Sequence, residues 1–275
     1  MTKEQDAVVS KLYQTQTVKF ESGIEGQSLT VAVNYRKGSD TLILFLHGLG
    51  GTKDTFSDVW GRAELREESL LVPDLIGFGD SSRDTDFSYS LEDHATILKQ
   101  LIGNYPHKEL HIVAHSMGGA IGVLLAEQLP ELQSFVDIDG NLIPNDGGLL
   151  SRRTAGSSFE NFRDKKFEEL RHQMVQDIGI GALQWVNQSR KADPLAFYKS
   201  ARSLVSWSDS GELLERFHNL QARKLFIFGD RNKGMSVLSW LDPDEMLMID
   251  NSGHFVMNDA PNKFYPKLAA FIKNN

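Results

Sequence analysis

The chain has 275 residues, 24% of them charged and 40% hydrophobic, which excludes a disordered chain and leaves room for one large domain or two small ones. A formal net charge of −8, with no basic run, excludes the electrostatic footprint of a nucleic-acid binder and the polybasic patch that anionic membranes attract. Cysteine is absent, so disulfides, thiolate catalysis and Cys-ligated metals are excluded as well. The segment MTKEQDAVVSKLYQTQTVKF lacks the apolar core of a secretory signal, and no apolar run approaches the roughly 20 residues that span a bilayer. A soluble cytoplasmic protein without nucleic-acid or membrane partners is expected.

Along the chain, residues 16–36 (TVKFES, then SLTVAVNYR) alternate apolar and polar and predict an antiparallel hairpin. TLILFLHG and SLLVPDLIG follow as continuous apolar runs of strand length. SLEDHATILKQLIGNY reads as a helix, with Ser90 as N-cap and acidic residues in its first turn. ELHIVAHS is a further strand, and MGGAIGVLLAEQL is apolar nearly all round, so it predicts a buried helix. SFVDIDG, KLFIFGD and EMLMIDNSG are strand-like. APNKFYPKLAAFIKNN closes the chain as a helix that Pro266 is expected to end or kink in its first turn. Continuous rather than alternating runs suit strands buried on both faces of a parallel sheet, so the chain reads as α/β with helices on both sides.

Residues 143–222 break the alternation. They hold no comparable strand run and read as helices: SFENFRDKKFEELRHQMVQDI, DPLAFYKSARSLV and GELLERFHNL. The expected organisation is a core of residues 1–142 and 223–275 with a helical insertion at 143–222. Most of the insertion's aromatics (Phe159, Phe162, Trp185, Phe197, Tyr198, Trp207) are expected to pack its helices together, with some left to line a pocket.

Three motifs carry chemistry. AHSMGG, Ala114–Gly119, has a strand entering and a helix leaving. Ser116 would sit on a sharp turn that needs small residues two before and two after it, which Ala114 and Gly118 supply, with Ala a mild departure from G-x-S-x-G. HGLGG, His47–Gly51, follows the first long apolar run. An oxyanion hole needs two N–H donors, and the amides of Leu49 and Met117 are the candidates. As a phosphate loop HGLGG is poor, since no Lys-Ser/Thr follows it. NSGHF, Asn251–Phe255, puts His254 on a loop after the last strand, where ligands bind open α/β sheets. Histidine is the natural base for a serine near neutral pH. His94 and His172 lie in helical patterns, His107, His111 and His218 have no partner motif, and His115, although next to the serine, is expected to point elsewhere.

Together AHSMGG, HGLGG, DLIGFGDSS (Asp74–Ser82) and SGHF resemble the α/β-hydrolase superfamily, in the family's order and over nearly the whole chain from about residue 17. The resemblance implies an eight-stranded, mostly parallel sheet with a helical lid inserted after the sixth strand. It also implies Ser116 as nucleophile, His254 as base, and the Leu49 and Met117 amides as the oxyanion hole. The family's usual acid stands three residues past a glycine at the end of the seventh strand, and here that position is Asn232, which carries no charge. Asp230 is only one residue past Gly229. Some members, haloalkane dehalogenases among them, carry the acid after the sixth strand, where Asp139 stands, with Asp137 deeper in the sheet. Asp139 is the preferred acid and Asp230 the alternative.

The expected reaction is hydrolysis of a small carboxylic ester or thioester through an acyl-enzyme. It needs no metal and no organic cofactor. Hydrolysis of a carbon–carbon bond in diketone-like acids, perhydrolysis, and a non-catalytic ligand-binding protein of the same fold are the alternatives. A serine nucleophile argues against haloalkane dehalogenase and epoxide hydrolase chemistry. A monomer or homodimer is expected.

Overall fold

The computed structural model describes residues 12–21, 28–144, 149–176 and 179–274. The continuous apolar runs become strands: β3 (Thr41–Leu46), β4 (Ser69–Pro73), β5 (Glu109–His115), β6 (Leu132–Ile138), β7 (Arg223–Gly229) and β8 (Met246–Ile249). The alternating run becomes β1 (Gln14–Glu21) and β2 (Ser28–Arg36), antiparallel to each other in the register Thr17 opposite Ala32. All eight join one sheet in the order β1-β2-β4-β3-β5-β6-β7-β8. β2 meets β4 antiparallel, and from β4 to β8 every pairing is parallel. β3 is central, with Leu44 paired to Leu71 on one side and Ile112 on the other. The chain leaves β3 toward β4 and returns to the opposite side of β3 as β5. That reversal opens a crevice at the carboxyl ends of β3 and β5, where open α/β sheets bind ligands.

The helix signals are realised locally. α1 (Leu91–Ile102) is capped by Ser90, whose Oγ accepts from the Asp93 amide at 3.1 Å, satisfying one of the N–H groups a helix start leaves unpaired. α2 (Met117–Ala126) is buried along its whole length, as its all-round apolar sequence requires. At the end of the chain, α8 (Val256–Asp259) leads into α9 (Pro261–Lys273), which runs through Pro266 instead of ending there. Pro266 forfeits one backbone bond, while Phe264, Tyr265, Leu268 and Ile272 bury the helix's apolar face and hold it in place. Among the described residues no helix is long and apolar enough to cross a membrane.

Between β6 and β7 lie α3 (Leu149–Ala155), α4 (Phe167–Met174), α5 (Ile180–Gln188), α6 (Pro194–Ser210) and α7 (Glu212–Asn219). α6 starts where Asp193 Oδ1 caps the amides of Leu195 and Ala196 at 2.8 and 3.0 Å with Pro194 in the first turn, and it stops at Gly211 with φ 77°. The run SFENFRDKKFEELRHQM is not a uniform α-helix: a short turn, Phe159–Asn161, and a π segment, Phe162–Lys166, precede α4. Residues five apart point about 140° away from each other on an α-helix. The widened turn, closed by the Phe167 amide on the Phe162 carbonyl, brings both rings to one side. They stack at 4.9 Å, and Phe162 continues onto Phe197 of α6 at 5.4 Å.

Candidate active site

Four strand ends converge on the crevice. At the end of β5 the chain turns through Ser116, with φ 55° and ψ −120°, before entering α2. The Ser116 amide donates to the Ile138 carbonyl at 2.9 Å, which ties the turn to the end of β6. The turn is crowded. A Cβ on Gly118 would stand 2.7 Å from the His47 carbonyl oxygen, and a Cβ on Gly48 would stand 2.9 Å from Ser116 Cβ, so the loop after β3 packs directly on the serine. Ala114, two residues before the serine, turns its methyl toward Gly122, where a Cβ would crowd it at 3.3 Å and meet the Phe135 ring at 2.5 Å, so the glycine leaves room for the methyl.

The loop after β3 is fixed through its carbonyls. His47 is fully buried, and burial pushes its imidazole below the ordinary range, so the ring is neutral. Its Nε2 accepts from the Leu75 amide at 3.0 Å, which leaves Nδ1–H to donate to the Gly48 carbonyl at 2.8 Å. A trans peptide points its N–H opposite to its C=O; holding the Gly48 carbonyl against His47 therefore turns the Leu49 N–H the other way. The Leu49 carbonyl is held in turn by the indole N–H of Trp185 at 2.7 Å. Beneath the loop, Lys53 Nζ reaches Asp74 Oδ2 at 2.6 Å and Asp80 Oδ2 at 2.5 Å, and the Lys53 amide donates to Asp74 Oδ1 at 2.6 Å. The DLIGFGDSS segment thus anchors the loop after β3.

His254 stands on the loop after β8. Its Nδ1 lies 2.6 Å from Asp139 Oδ2, and Asp139, at the end of β6, is 1% exposed. Asp139 has φ 54°, and its amide donates to the Ile227 carbonyl at 2.8 Å. Asn232 Nδ2 donates to the same Oδ2 at 2.5 Å. Asp230 turns elsewhere: its Oδ1 accepts from the Ser252 amide at 3.0 Å. Backbone N–H groups, those of Ser252 and Asn251 foremost, hold its carboxyl below the usual range. Asp137 is fully buried under the site, with no hydrogen-bond partner for either oxygen among the described residues. Burial first, and then the charge of Asp139, push its carboxyl well above the usual range.

One expectation is corrected. His115 does not point away from the site: it lines the same cavity as Ser116 and His254. Burial drives its imidazole far below the ordinary range, and the neutral ring donates from Nε2 to the His254 carbonyl at 2.9 Å. The cavity measures about 240 Å³. Leu49, Leu150, Met174, Trp185, Leu204 and Phe255 make its walls mostly apolar, and Asn141 and Ser151 add polar atoms. Leu150, Ser151, Met174, Trp185 and Leu204 belong to the helices between β6 and β7, so that segment contributes walls to the cavity that holds the serine. Arg152 and Arg153 are occupied elsewhere, by Asp209 and Gln173. Among the described residues no group of three His, Asp or Glu side chains is placed to hold a metal.

Reading the sequence missed Asn232 as a partner of Asp139, His115 as a neighbour of His254, and Trp185 and Lys53 as supports of the loop after β3. Asn232 was flagged only as a missing acid, and nothing local marks the other three, whose partners lie up to 139 residues away.

A family model described as alpha/beta hydrolase fold matches residues 41–205. Lipase 1 of Psychrobacter immobilis is 35% identical over 107 residues, covering 38% of this chain and 33% of the lipase. Lipase 3 of Moraxella sp. is 34% identical over 128 residues, covering 43% of this chain and 40% of the lipase. The aligned stretch is thus a third to two fifths of the length of these curated relatives. Among solved structures, a thermophilic esterase from Thermogutta terrifontis superposes with a TM-score of 0.73 at 19% identity, covering 94% of this chain and 98% of the esterase.

Proposed function

Since this chain belongs to the alpha/beta hydrolase family, we propose that it is a serine hydrolase that cleaves small carboxylic esters or thioesters through an acyl-enzyme. The observation that carries this reading is His254, paired through Nδ1 to the buried Asp139 at 2.6 Å and lining one cavity with a serine held on a left-handed turn at a helix start. Ser116 Oγ attacks the acyl carbon while His254 Nε2 takes its proton. Asp139 holds Nδ1–H, which leaves Nε2 as the basic nitrogen and favours the imidazolium once formed. The tetrahedral oxyanion is met by the Met117 N–H at the start of α2 and by the Leu49 N–H, which the Gly48–His47 contact turns away from the imidazole. His254 then protonates the leaving alkoxide or thiolate. The acyl-enzyme is released when water, deprotonated by His254, repeats the attack.

The apolar walls favour an acyl or alkyl group of modest size over a highly charged substrate, and the two lipases among the relatives agree with ester chemistry. The binding-protein alternative drew its force from the uncharged residue at position 232, and a carboxylate on His254 from β6 removes that ground. The helices of residues 143–222 act in this reading as a lid over the acyl site. A fluorophosphonate should label Ser116 alone, and Ser116→Ala should lose both the label and turnover of short-chain p-nitrophenyl esters. Turnover that survives in Ser116→Ala would end the proposal.

A further inference from the structure

Two donors converge on a single oxygen of Asp139. Oδ2 carries both the His254 Nδ1 contact at 2.6 Å and the Asn232 Nδ2 contact at 2.5 Å, while Oδ1 is buried with no partner among the described residues. An ionised carboxylate only accepts hydrogen bonds, so the Asn232 atom facing it is the NH₂ group. Asn232 is not a mobile surface amide. It ends the turn Asp230–Asn232 after β7, and that turn is braced on the His254 loop by two contacts: Arg231 N–H to the Ser252 carbonyl at 3.2 Å, and the Ser252 amide to Asp230 Oδ1 at 3.0 Å. Arg231 is further paired with Asp259, whose Oδ2 also accepts from the Gly253 amide at 3.0 Å. One rigid unit therefore carries both the base and the amide that touches the acid.

We propose that Asn232 is a positioning residue: it replaces a missing carboxylate with a donor that fixes Asp139 against His254 and takes up part of its negative charge. This rests on the serine-hydrolase reading for its effect on turnover, though not for its effect on His254 itself. A carboxylate sealed from water at 1% exposure has lost its hydration and needs donors in its place. The other titratable neighbours do not supply them. Asp137, on the same strand, is an acid with no partner of its own; His115 gives its proton to the His254 carbonyl; Asp230 and Asp259 are acceptors already in use. Arg231 is turned to Asp259.

The sign of the effect follows. Asn232 draws charge from Oδ2, so removing it leaves more charge on the His254 contact, strengthens the imidazolium and weakens orientation of the carboxylate. In Asn232→Leu, which keeps the size and removes the donor, kcat should fall about tenfold with KM within about twofold, as for an interaction acting on the transition state. The acidic limb of the kcat/KM profile should move up by about half a pH unit or more. A residue that only supported folding would lower the melting temperature and leave that limb in place. Asn232→Asp is the second variant. Two carboxylates at this distance cannot both ionise near neutrality, so a shared proton restores the donor at low pH, and its activity relative to the parent should fall as pH rises. Titration of the His254 ring by NMR in the parent and in Asn232→Leu reads the same shift without any substrate. If the parent takes no fluorophosphonate and cleaves no ester, the hydrolase reading fails, and the NMR shift still decides the role of Asn232. An unmoved imidazole titration, or wild-type kcat and pH profile in both variants, overturns the proposal.

Discussion

Ser116 stands at φ 55° and ψ −120°, a region that side chains with a Cβ avoid and that costs about 1–3 kcal/mol for a residue held there. Glycine enters it without that cost. Replacing Ser116 by Gly and by Ala therefore separates backbone strain from loss of the hydroxyl, since both variants lack Oγ but only Ala keeps the Cβ. Gly carries its own penalty of about 0.5–1 kcal/mol from the freedom of the unfolded chain. Taking the middle of each range, relief of strain less that penalty leaves Ser116→Gly about 1 kcal/mol more stable than Ser116→Ala. For 275 residues the usual unfolding entropy gives about 1.7 °C per kcal/mol, so the Gly variant should melt about 2 °C above the Ala variant. Calorimetric melting, checked by urea titration with unchanged m-values, measures the difference. Both variants should refuse a fluorophosphonate, so the gain in stability would be set against a complete loss of labelling. A Gly variant that melts at or below the Ala variant would show that the turn is unstrained and that the left-handed backbone at Ser116 stores nothing.

Two further outcomes test the surroundings of the site. Lys53→Met leaves Asp74, fully buried, without its cation 2.6 Å away; breaking a buried pair from one side costs about 3–5 kcal/mol, so unfolding in urea should show a loss of that size, and a loss under 1 kcal/mol refutes the anchoring role. Asp137 is held neutral by burial, its folded pKa raised well above the usual value; its stabilising share is whole below the unfolded pKa of about 3.9 and is lost as pH rises from there toward the folded value. Asp137→Asn removes that dependence, so its stability relative to the parent should improve between pH 4 and pH 8, and a difference that does not vary with pH rejects the neutral-acid assignment.

The sheet was legible because its strands obey a strong local rule. β3, β5, β6 and β7 are buried on both faces, and such strands must read as unbroken apolar runs. The hairpin of β1 and β2 was legible from alternation, and α1 from Ser90 and the acids behind it. Where local rules failed, a tertiary term had outweighed them. Pro266 did not stop α9 because four large side chains on that helix are buried in the core. The π segment before α4 exists to deliver Phe162 and Phe167 to one stack with Phe197, and no periodicity of the segment itself announces a ring thirty residues further on.

At the site, what could be read was what the backbone demands. The turn at Ser116, a glycine loop and a histidine after a glycine each leave a local signature, because small residues must stand where chain approaches chain. The carboxylate that pairs with His254 leaves none. A carboxylate has only to reach His254 Nδ1, and the ends of β6 and β7 are neighbours in the sheet, so either strand end can supply it and the residue type alone does not say which. In the folded chain Asp139 and Asn232 face each other across those two strand ends and meet at one oxygen. Asn232 is uninformative as a missing acid and informative as a donor, but only once Asp139 is seen beside it. His115 is hidden for the same reason: its partner is a backbone carbonyl on the loop after β8, and a carbonyl belongs to every residue. Residues on tight turns are constrained by chain geometry and can be found in sequence, whereas residues that hold them in place are constrained by pairs, and only the fold writes down the pairs.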